Sequence, residues 1–345
     1  MVTKWRTKFF YMRIKFLQEK LGPLEGWLTE DLIDIAYLTG LILSQGTFVC
    51  TKDGAQIFVD GRYTSYTKQN SPIPVGSENP ENFFKAGTTV GFDKEKMSVS
   101  RHAQLRSDIT WIASVNLVTR FIKDSSEQQL MRDAGLLAAK GMAFCKAALQ
   151  PGVSEKEIAD DLDYFFKKEG GEGAAFNSII AFGENSAFPH HRPGSRRWEK
   201  GELVLIDIGA TKARYQSDMT RTYLFDTKGE LKKIYQTVEA AQKLALSICK
   251  PGAKIGDIDS AARTLIEKAG YGPLFCHGLG HGIGLEVHEF PSLKNKDPFK
   301  DIALESGMVI TIEPGIYKAG LGGVRLEDTI LITNQGYENL TCHGL

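Results

Sequence analysis

Leu203-Val204-Leu205-Ile206-Asp207-Ile208-Gly209, followed by Tyr215-Gln216-Ser217-Asp218-Met219-Thr220, decides how this chain folds. The first stretch is a nearly continuous apolar strand that ends in a carboxylate. A charge there is costly to bury alone. Asp218 comes eleven residues after Asp207, in a second strand candidate. A turn near Lys212-Ala213 makes the two strands antiparallel neighbours and brings both carboxylates together. The pattern then recurs. Gly201-Glu202-Leu203-Val204-Leu205-Ile206-Asp207 aligns, 106 residues on, with Gly307-Met308-Val309-Ile310-Thr311-Ile312-Glu313. Glu327 follows Glu313 by fourteen residues, in Val324-Arg325-Leu326-Glu327-Asp328-Thr329.

A second offset supports duplication. Pro151-Gly152 and Pro251-Gly252 are 100 residues apart, as are Ile158 and Ile258, and Gly170 and Gly270. Each half reads as helix, helix, then strands, and two such copies pack as one body. Ser125 or Ser126 is expected to cap the first long helix, through Lys146. Ser154 and Glu157 form a capping box for the next. Each copy thus supplies a carboxylate pair. Four like charges in one pocket repel unless protonated or neutralised. Divalent cations are the natural solution: oxygen ligands suit Mn²⁺ and Mg²⁺ and also accept Co²⁺, Fe²⁺ or Zn²⁺.

The histidines fit that reading. Three of seven lie within twelve residues, in Cys276-His277-Gly278-Leu279-Gly280-His281-Gly282-Ile283-Gly284-Leu285-Glu286-Val287-His288-Glu289. The glycines let the backbone turn and approach a site closely. His281 is a candidate nitrogen ligand, with His277 and His288 near enough to brace ligands or meet substrate. His191 reads as structural or solvent-facing, and His102 and His343 as surface residues. Cys276 beside His277 raises a thiol-protease reading, which the carboxylate pairs make unnecessary.

Composition bounds the rest. The 345 residues suit two domains, with 42% hydrophobic and 24% charged residues, an ordinary soluble balance. Lys+Arg and Asp+Glu both number 42, which gives no support for a nucleic-acid partner. No apolar run is long enough for a membrane span. The start lacks a signal-peptide pattern, and Phe9, Phe10, Ile14 and Leu17 place a helix there. The five cysteines are odd in number and widely spaced, which fits a reducing compartment. Residues 1–122 read as a small α/β domain: a hairpin from Phe48–Cys50 and Ile57–Val59, strands at Thr88–Phe92 and Trp111–Val115, and a loop over 71–82. The second domain is 123–345.

From about 123 to 341 the chain resembles the pita-bread metallopeptidase family, in its Xaa-Pro aminopeptidase and Xaa-Pro dipeptidase branch. The similar pieces are Phe188-Pro189-His190-His191, Leu205-Ile206-Asp207-Ile208-Gly209, Ser217-Asp218-Met219-Thr220-Arg221-Thr222, His277–Gly284, Val287-His288-Glu289-Phe290-Pro291, Ile312-Glu313-Pro314-Gly315 and Val324–Asp328. Tyr37-Leu38-Thr39-Gly40 resembles an N-terminal motif of the same branch, with Asp34 where that motif usually has Asn. The resemblance implies an α/β (α+β) architecture: a pita-bread catalytic domain with pseudo-twofold repeat behind a smaller N-terminal domain. It implies two divalent metal ions, Mn²⁺ foremost, held by Asp207, Asp218, His281, Glu313 and Glu327. Asp218 and Glu327 would bridge the ions, and a shared water would attack the scissile carbonyl. It gives Glu313 the role of proton acceptor and places His190, His277 and His288 about the substrate. Arg325, a further catalytic candidate, stands two residues before Glu327 and so on the same strand face, where it reads as bracing a carboxylate ligand or the water network, or as a plain salt bridge. The implied reaction is Xaa-Pro aminopeptidase cleavage of peptides with Pro at position 2. The alternative is an Xaa-Pro dipeptidase. A cytoplasmic homodimer with no nucleic-acid or membrane partner is expected. A methionine aminopeptidase shares the ligand set but usually lacks the preceding domain. A non-catalytic binding protein of this fold would be expected to have lost ligands, and all five are present.

Overall fold

The computed structural model describes residues 4–114, 120–226 and 228–342. The chain divides into two compact units, Met1–Arg120 and Phe121–Leu345. In the first, α1 (Lys4–Glu19) is followed by β1 (Gly26–Thr29), α2 (Leu32–Thr39), β2 (Thr47–Thr51), β3 (Ala55–Phe58), α3 (Thr64–Asn70), β4 (Val75–Gly76), β5 (Thr89–Asp93), α4 (Val99–His102) and β6 (Thr110–Ser114). They form one six-stranded sheet, ordered β4-β3-β2-β1-β5-β6. The expected hairpin is β2 and β3, paired from Thr47↔Phe58 to Cys50↔Ala55. The stretch 71–82, expected as loop, contains β4 and a 3-10 turn at Pro80–Phe83. Val115, the last residue of the expected final strand, and His343 lie outside the described residues.

The first helix buries Ile14 and Leu17 against this sheet's core, as its periodicity requires. Arg13 joins it to α2: Nη1 donates to the Tyr37 carbonyl at 2.8 Å, and the guanidinium lies 3.9 Å from the Tyr37 ring centroid. Asp34, which replaces the motif's usual Asn, is buried and paired with Arg120. Burial pushes its carboxyl up to about 7 despite that cation.

In the second unit, α5 (Ser125–Ala148) and α6 (Glu155–Lys168) precede β7 (Gly173–Ala174), β8 (Ile179–Phe182), β9 (Val204–Ile208), β10 (Ala210–Lys212), β11 (Tyr215–Gln216) and β12 (Met219–Tyr223). The second copy is α7 (Glu230–Ile248), α8 (Ile255–Lys268), β13 (Gly280–Gly282), β14 (Glu289–Leu293), β15 (Val309–Ile312), β16 (Gly315–Lys318), β17 (Gly322–Arg325), β18 (Asp328–Thr333) and β19 (Gly336–Asn339). Helices α6 and α8 begin and end 100 residues apart, which is the duplication seen in sequence. Each helix pair covers its own strands. Leu162, Phe166 and Met142 pack on Ile180, Val204 and Ile206, and Ile258, Ala262 and Val238 on Ile310, Ile312 and Ile330.

The cap of α5 corrects the expectation. Asp124, not Ser125 or Ser126, is the N-cap, and its carboxylate accepts from the Ser126 and Glu127 amides. The Glu127 side chain returns the bond to the Asp124 amide at 3.0 Å, so a charged box closes on the helix start. Ser154 and Glu157 form the expected box on α6.

Candidate metal centre

Asp207 lies in β9, and Thr220 of β12 is its antiparallel partner, so Asp218 arrives one step before β12 begins. The expected turn is real: Ala213 and Arg214 both take positive φ, 47° and 71°. The single strand expected over Tyr215–Thr220 is broken into β11 and β12, which frees the Ser217-Asp218 backbone to aim the carboxylate inward. In the second copy β15 pairs with β18, with Ile312 opposite Asp328. Glu313 sits just after β15. Glu327 sits in the break between β17 and β18, its amide bonded to the Thr220 carbonyl at 3.1 Å. The two copies therefore meet at the carboxylates.

His281 enters on β13, squeezed between β14 and β15. A Cβ on Gly280 would come within 2.0 Å of the Thr311 carbonyl oxygen, and one on Gly282 within 2.3 Å of that of Phe290. The glycines on either side of His281 are what let three strands close around it. Its Nδ1 donates to the Gly282 carbonyl at 3.0 Å. That leaves the Nε2 lone pair facing Glu313 Oε1 at 3.4 Å and Asp218 Oδ2 at 3.7 Å.

Acceptors thus face acceptors. Asp218, His281 and Glu327 each offer a ligand atom within 4.8 Å of the others. Asp207 and Asp218 each keep one buried Oδ1 without a hydrogen bond. Burial pushes Asp218 and Glu327 well above the carboxylate range, with Glu327 and Asp207 adding to the first and Glu313 and Asp207 to the second. Glu313 is pushed up to about 8 by burial, with Asp207 adding to the rise. Burial lowers His281 to about 4, so its ring stays neutral and able to coordinate. Like charges 4–5 Å apart repel by roughly 3–4 kcal/mol at an effective dielectric of about 20. Divalent cations remove that repulsion and occupy the orphaned oxygens, so the residues present fit metal.

A hydrogen-bonded brace surrounds the acids. Arg325 donates from Nη2 to Asp207 Oδ2 at 2.5 Å and from Nε to Thr220 Oγ1 at 3.1 Å. The Thr220 hydroxyl in turn donates to Glu327 Oε2 at 2.7 Å. Arg325 does not share a regular strand face with Glu327, as its two-residue spacing suggests, because β17 ends at Arg325 itself. Its Nη1 donates to the Tyr317 hydroxyl at 2.7 Å. Tyr317 in turn faces His277 Nε2 at 2.9 Å, while His277 Nδ1 binds the Gly278 carbonyl at 2.7 Å. With Nδ1 the donor, His277 accepts from the tyrosine. Burial lowers His277 to about 4 and holds the Tyr317 phenol far above its usual value.

His288 is exposed and packs edge-on against His281, with ring centroids 4.4 Å apart. His190 is also exposed, at the tip of a loop whose Pro189 carbonyl accepts from Arg325 Nη1 at 3.4 Å. His191 faces away to the buried Glu155, 2.8 Å from its Oε2, which is the structural role expected. His102 is exposed against Phe92. Cys276 is exposed. Sequence reasoning missed Tyr317, Thr220 and Thr311, the last donating to Glu313 Oε1 at 3.5 Å. The available signal was alternation: Tyr317 stands two residues after Gly315 on β16, opposite Gly323, so it points to the side where Gly315 meets Arg325.

Buried carboxylates from two repeats, closed by one histidine and charge-braced by an arginine, form a centre suited to divalent metal, and the family matches make it that of a metal-dependent exopeptidase. Residues 129–334 match metallopeptidase family M24, and residues 13–120 match the creatinase/prolidase N-terminal domain. The chain belongs to metallopeptidase family M24, in the Xaa-Pro aminopeptidase and dipeptidase branch. It is 35% identical to the Xaa-Pro dipeptidase of Pyrococcus furiosus, over 94% of this chain and 98% of that one. The solved Xaa-Pro dipeptidase from Bacillus anthracis is 31% identical with a TM-score of 0.90, covering 96% of this chain and 98% of that one. The X-Pro aminopeptidase from Thermotoga maritima is 32% identical with a TM-score of 0.82, covering 94% and 97%. Among the described residues, no helix is long and apolar enough to cross a membrane.

Proposed function

We propose that this protein is an Xaa-Pro dipeptidase working with two divalent metal ions. The observation that carries the metal reading is the set of mutually facing acceptors on Asp207, Asp218, His281, Glu313 and Glu327, with the Oδ1 atoms of Asp207 and Asp218 buried and without a hydrogen bond. The relatives favour the dipeptidase over the aminopeptidase expected from sequence: the Pyrococcus and Bacillus proteins carry the dipeptidase name. One structure of comparable identity is an X-Pro aminopeptidase, and that reading is retained as the second.

Asp207, Asp218, His281, Glu313 and Glu327 would hold the ions, with Mn²⁺ the first choice for so oxygen-rich a set. When bound, the ions would acidify a water and neutralise charge building on the scissile carbonyl oxygen. Glu313 is suited to take that water's proton and return it to the leaving proline nitrogen, since its carboxylate stands among the ligand acceptors, 3.4 Å from His281 Nε2. The neutral His277, held by Tyr317, presents a fixed ring to the cleft, and His190 and His288 line it. Arg325 holds Asp207 in place through the bond from its Nη2. Substrate with proline second has no amide proton at the scissile bond, so recognition must rest on ring shape and on the substrate's termini. Homodimerisation and a cytoplasmic location complete the reading and are checked by sedimentation and cell fractionation.

The test is cleavage by Mn²⁺-reconstituted protein, followed by mass spectrometry. Ala-Pro and Met-Pro dipeptides should be hydrolysed and Ala-Pro-Ala left intact. Release of alanine from the tripeptide at a comparable rate replaces the dipeptidase with the aminopeptidase.

A further inference from the structure

Glu155 begins α6 and is completely buried. Its carboxylate is used on both oxygens. Oε1 accepts from the Phe182 amide at 2.9 Å and from Asn185 Nδ2 at 2.8 Å. Oε2 accepts from the Gly194 amide at 3.1 Å and meets His191 Nε2 at 2.8 Å. Since a carboxylate only accepts, His191 carries a proton on Nε2. The first amides of α6 also grip the same segment: Glu155 N–H bonds the Arg196 carbonyl at 3.1 Å and Lys156 N–H that of Gly194 at 3.0 Å. One buried group therefore fastens both legs of the loop 182–194, and exposed His190 stands at its tip.

The device recurs at another histidine. Glu289 follows His288 directly, accepts from the Leu285 and Glu286 amides at 3.0 and 3.3 Å, and pairs with Lys123 at 3.1 Å. Both side chains are buried, at 3% and 1% exposure. An apolar core would hold these loops without burying a charge. A carboxylate with several directed bonds fixes orientation as well.

We propose that Glu155, acting through His191, is a positioning residue that sets where His190 meets the substrate. This rests on His190 having the substrate-side role proposed above. A misplacement of about 1 Å at such a contact can cost up to about a hundredfold in rate.

The test is a cycle of His191→Leu and His190→Ala, with His191→Gln as the conservative variant because its amide reaches where Nε2 stands. Kinetics on Ala-Pro are paired with metal content and with ¹⁵N-imidazole NMR of His190. His191→Leu should lower kcat/KM about tenfold or more with metal content unchanged, and His191→Gln should restore most of it. On the His190→Ala background His191→Leu should cost less than twofold. The His190 ring signals should move in His191→Leu and in Glu155→Gln, whether or not the protein is active. Unmoved signals, or a loss undiminished by His190→Ala, overturn the proposal. Wild-type kcat/KM in His190→Ala instead removes the substrate role of His190, and the positioning role falls with it.

Discussion

Glu313 binds its proton up to about pH 8 in the folded, metal-free protein, against an ordinary value of 4.5. Across that window the native Glu313 holds a proton that the unfolded chain has lost, so its share of metal-free stability falls as pH rises from about 4.5 to 8, while His277 and His281, lowered to about 4, pull the other way below about 6.5. Asp218 and Glu327, also raised, push in the same direction as Glu313. Metal binding expels those protons and removes the slope. Urea midpoints of chelated protein should therefore drop between pH 6.5 and 8, and those of Mn²⁺-loaded protein should not. A midpoint of the chelated form that climbs over this range contradicts the clustered acids. Tyr317 belongs to the same scale. Tyr317→Phe strips a buried acceptor from Arg325 and a donor from His277, which costs about 1–3 kcal/mol by the usual penalty for an unmade buried bond. Urea melts would measure it, and no loss would show the chain through Tyr317 to be idle. The candidate ligands were legible because Asp207 and Glu313 end apolar strands, Asp218 and Glu327 follow them by eleven and fourteen residues, and His281 sits among glycines. Tyr317 was not, because a tyrosine on a short buried strand looks like core until its partners are in place.

At the scale of elements, the strand carrying His281 depends on what its neighbours can approach. Gly280→Ala places a Cβ 2.0 Å from a backbone oxygen that cannot swing aside. The variant should lose several kcal/mol or bind metal poorly, seen as a lowered melting temperature that Mn²⁺ does not restore. Wild-type melting with full metal content would mean that β13 has room to spare. The helices were readable from their caps and the Pro-Gly stops 100 residues apart. Their exact starts were less so: three polar residues in Asp124-Ser125-Ser126 compete for the N-cap, and only geometry shows the carboxylate winning. Strand breaks were the hardest. Ser217-Asp218 and Leu326-Glu327 continue an extended pattern in sequence, but the backbone leaves the ladder at both places, and both carboxylates lie at those breaks.

For the whole molecule, duplication explains why so much was visible in one sequence. Two copies of helix, helix and strands must each satisfy the same packing, so errors in one are checked by the other. A carboxylate pair in each copy becomes tolerable by holding protons, as in the metal-free chain, or by sharing cations with the other pair. Substrate length was not legible on these grounds. It depends on what borders the cleft beyond the scissile bond, and no residue spacing encodes that. On the proposed function, the five-residue centre holds two ions, and hydrolysis of the Xaa-Pro bond depends on them. The most direct measurement counts metal per chain by inductively coupled plasma mass spectrometry during Mn²⁺ titration, with Ala-Pro cleavage followed in parallel for wild type and Glu327→Gln. Two ions per wild-type chain, activity rising with occupancy, and at least a hundredfold loss in Glu327→Gln is the predicted result. Undiminished cleavage by chelated protein, or by Glu327→Gln, would contradict it.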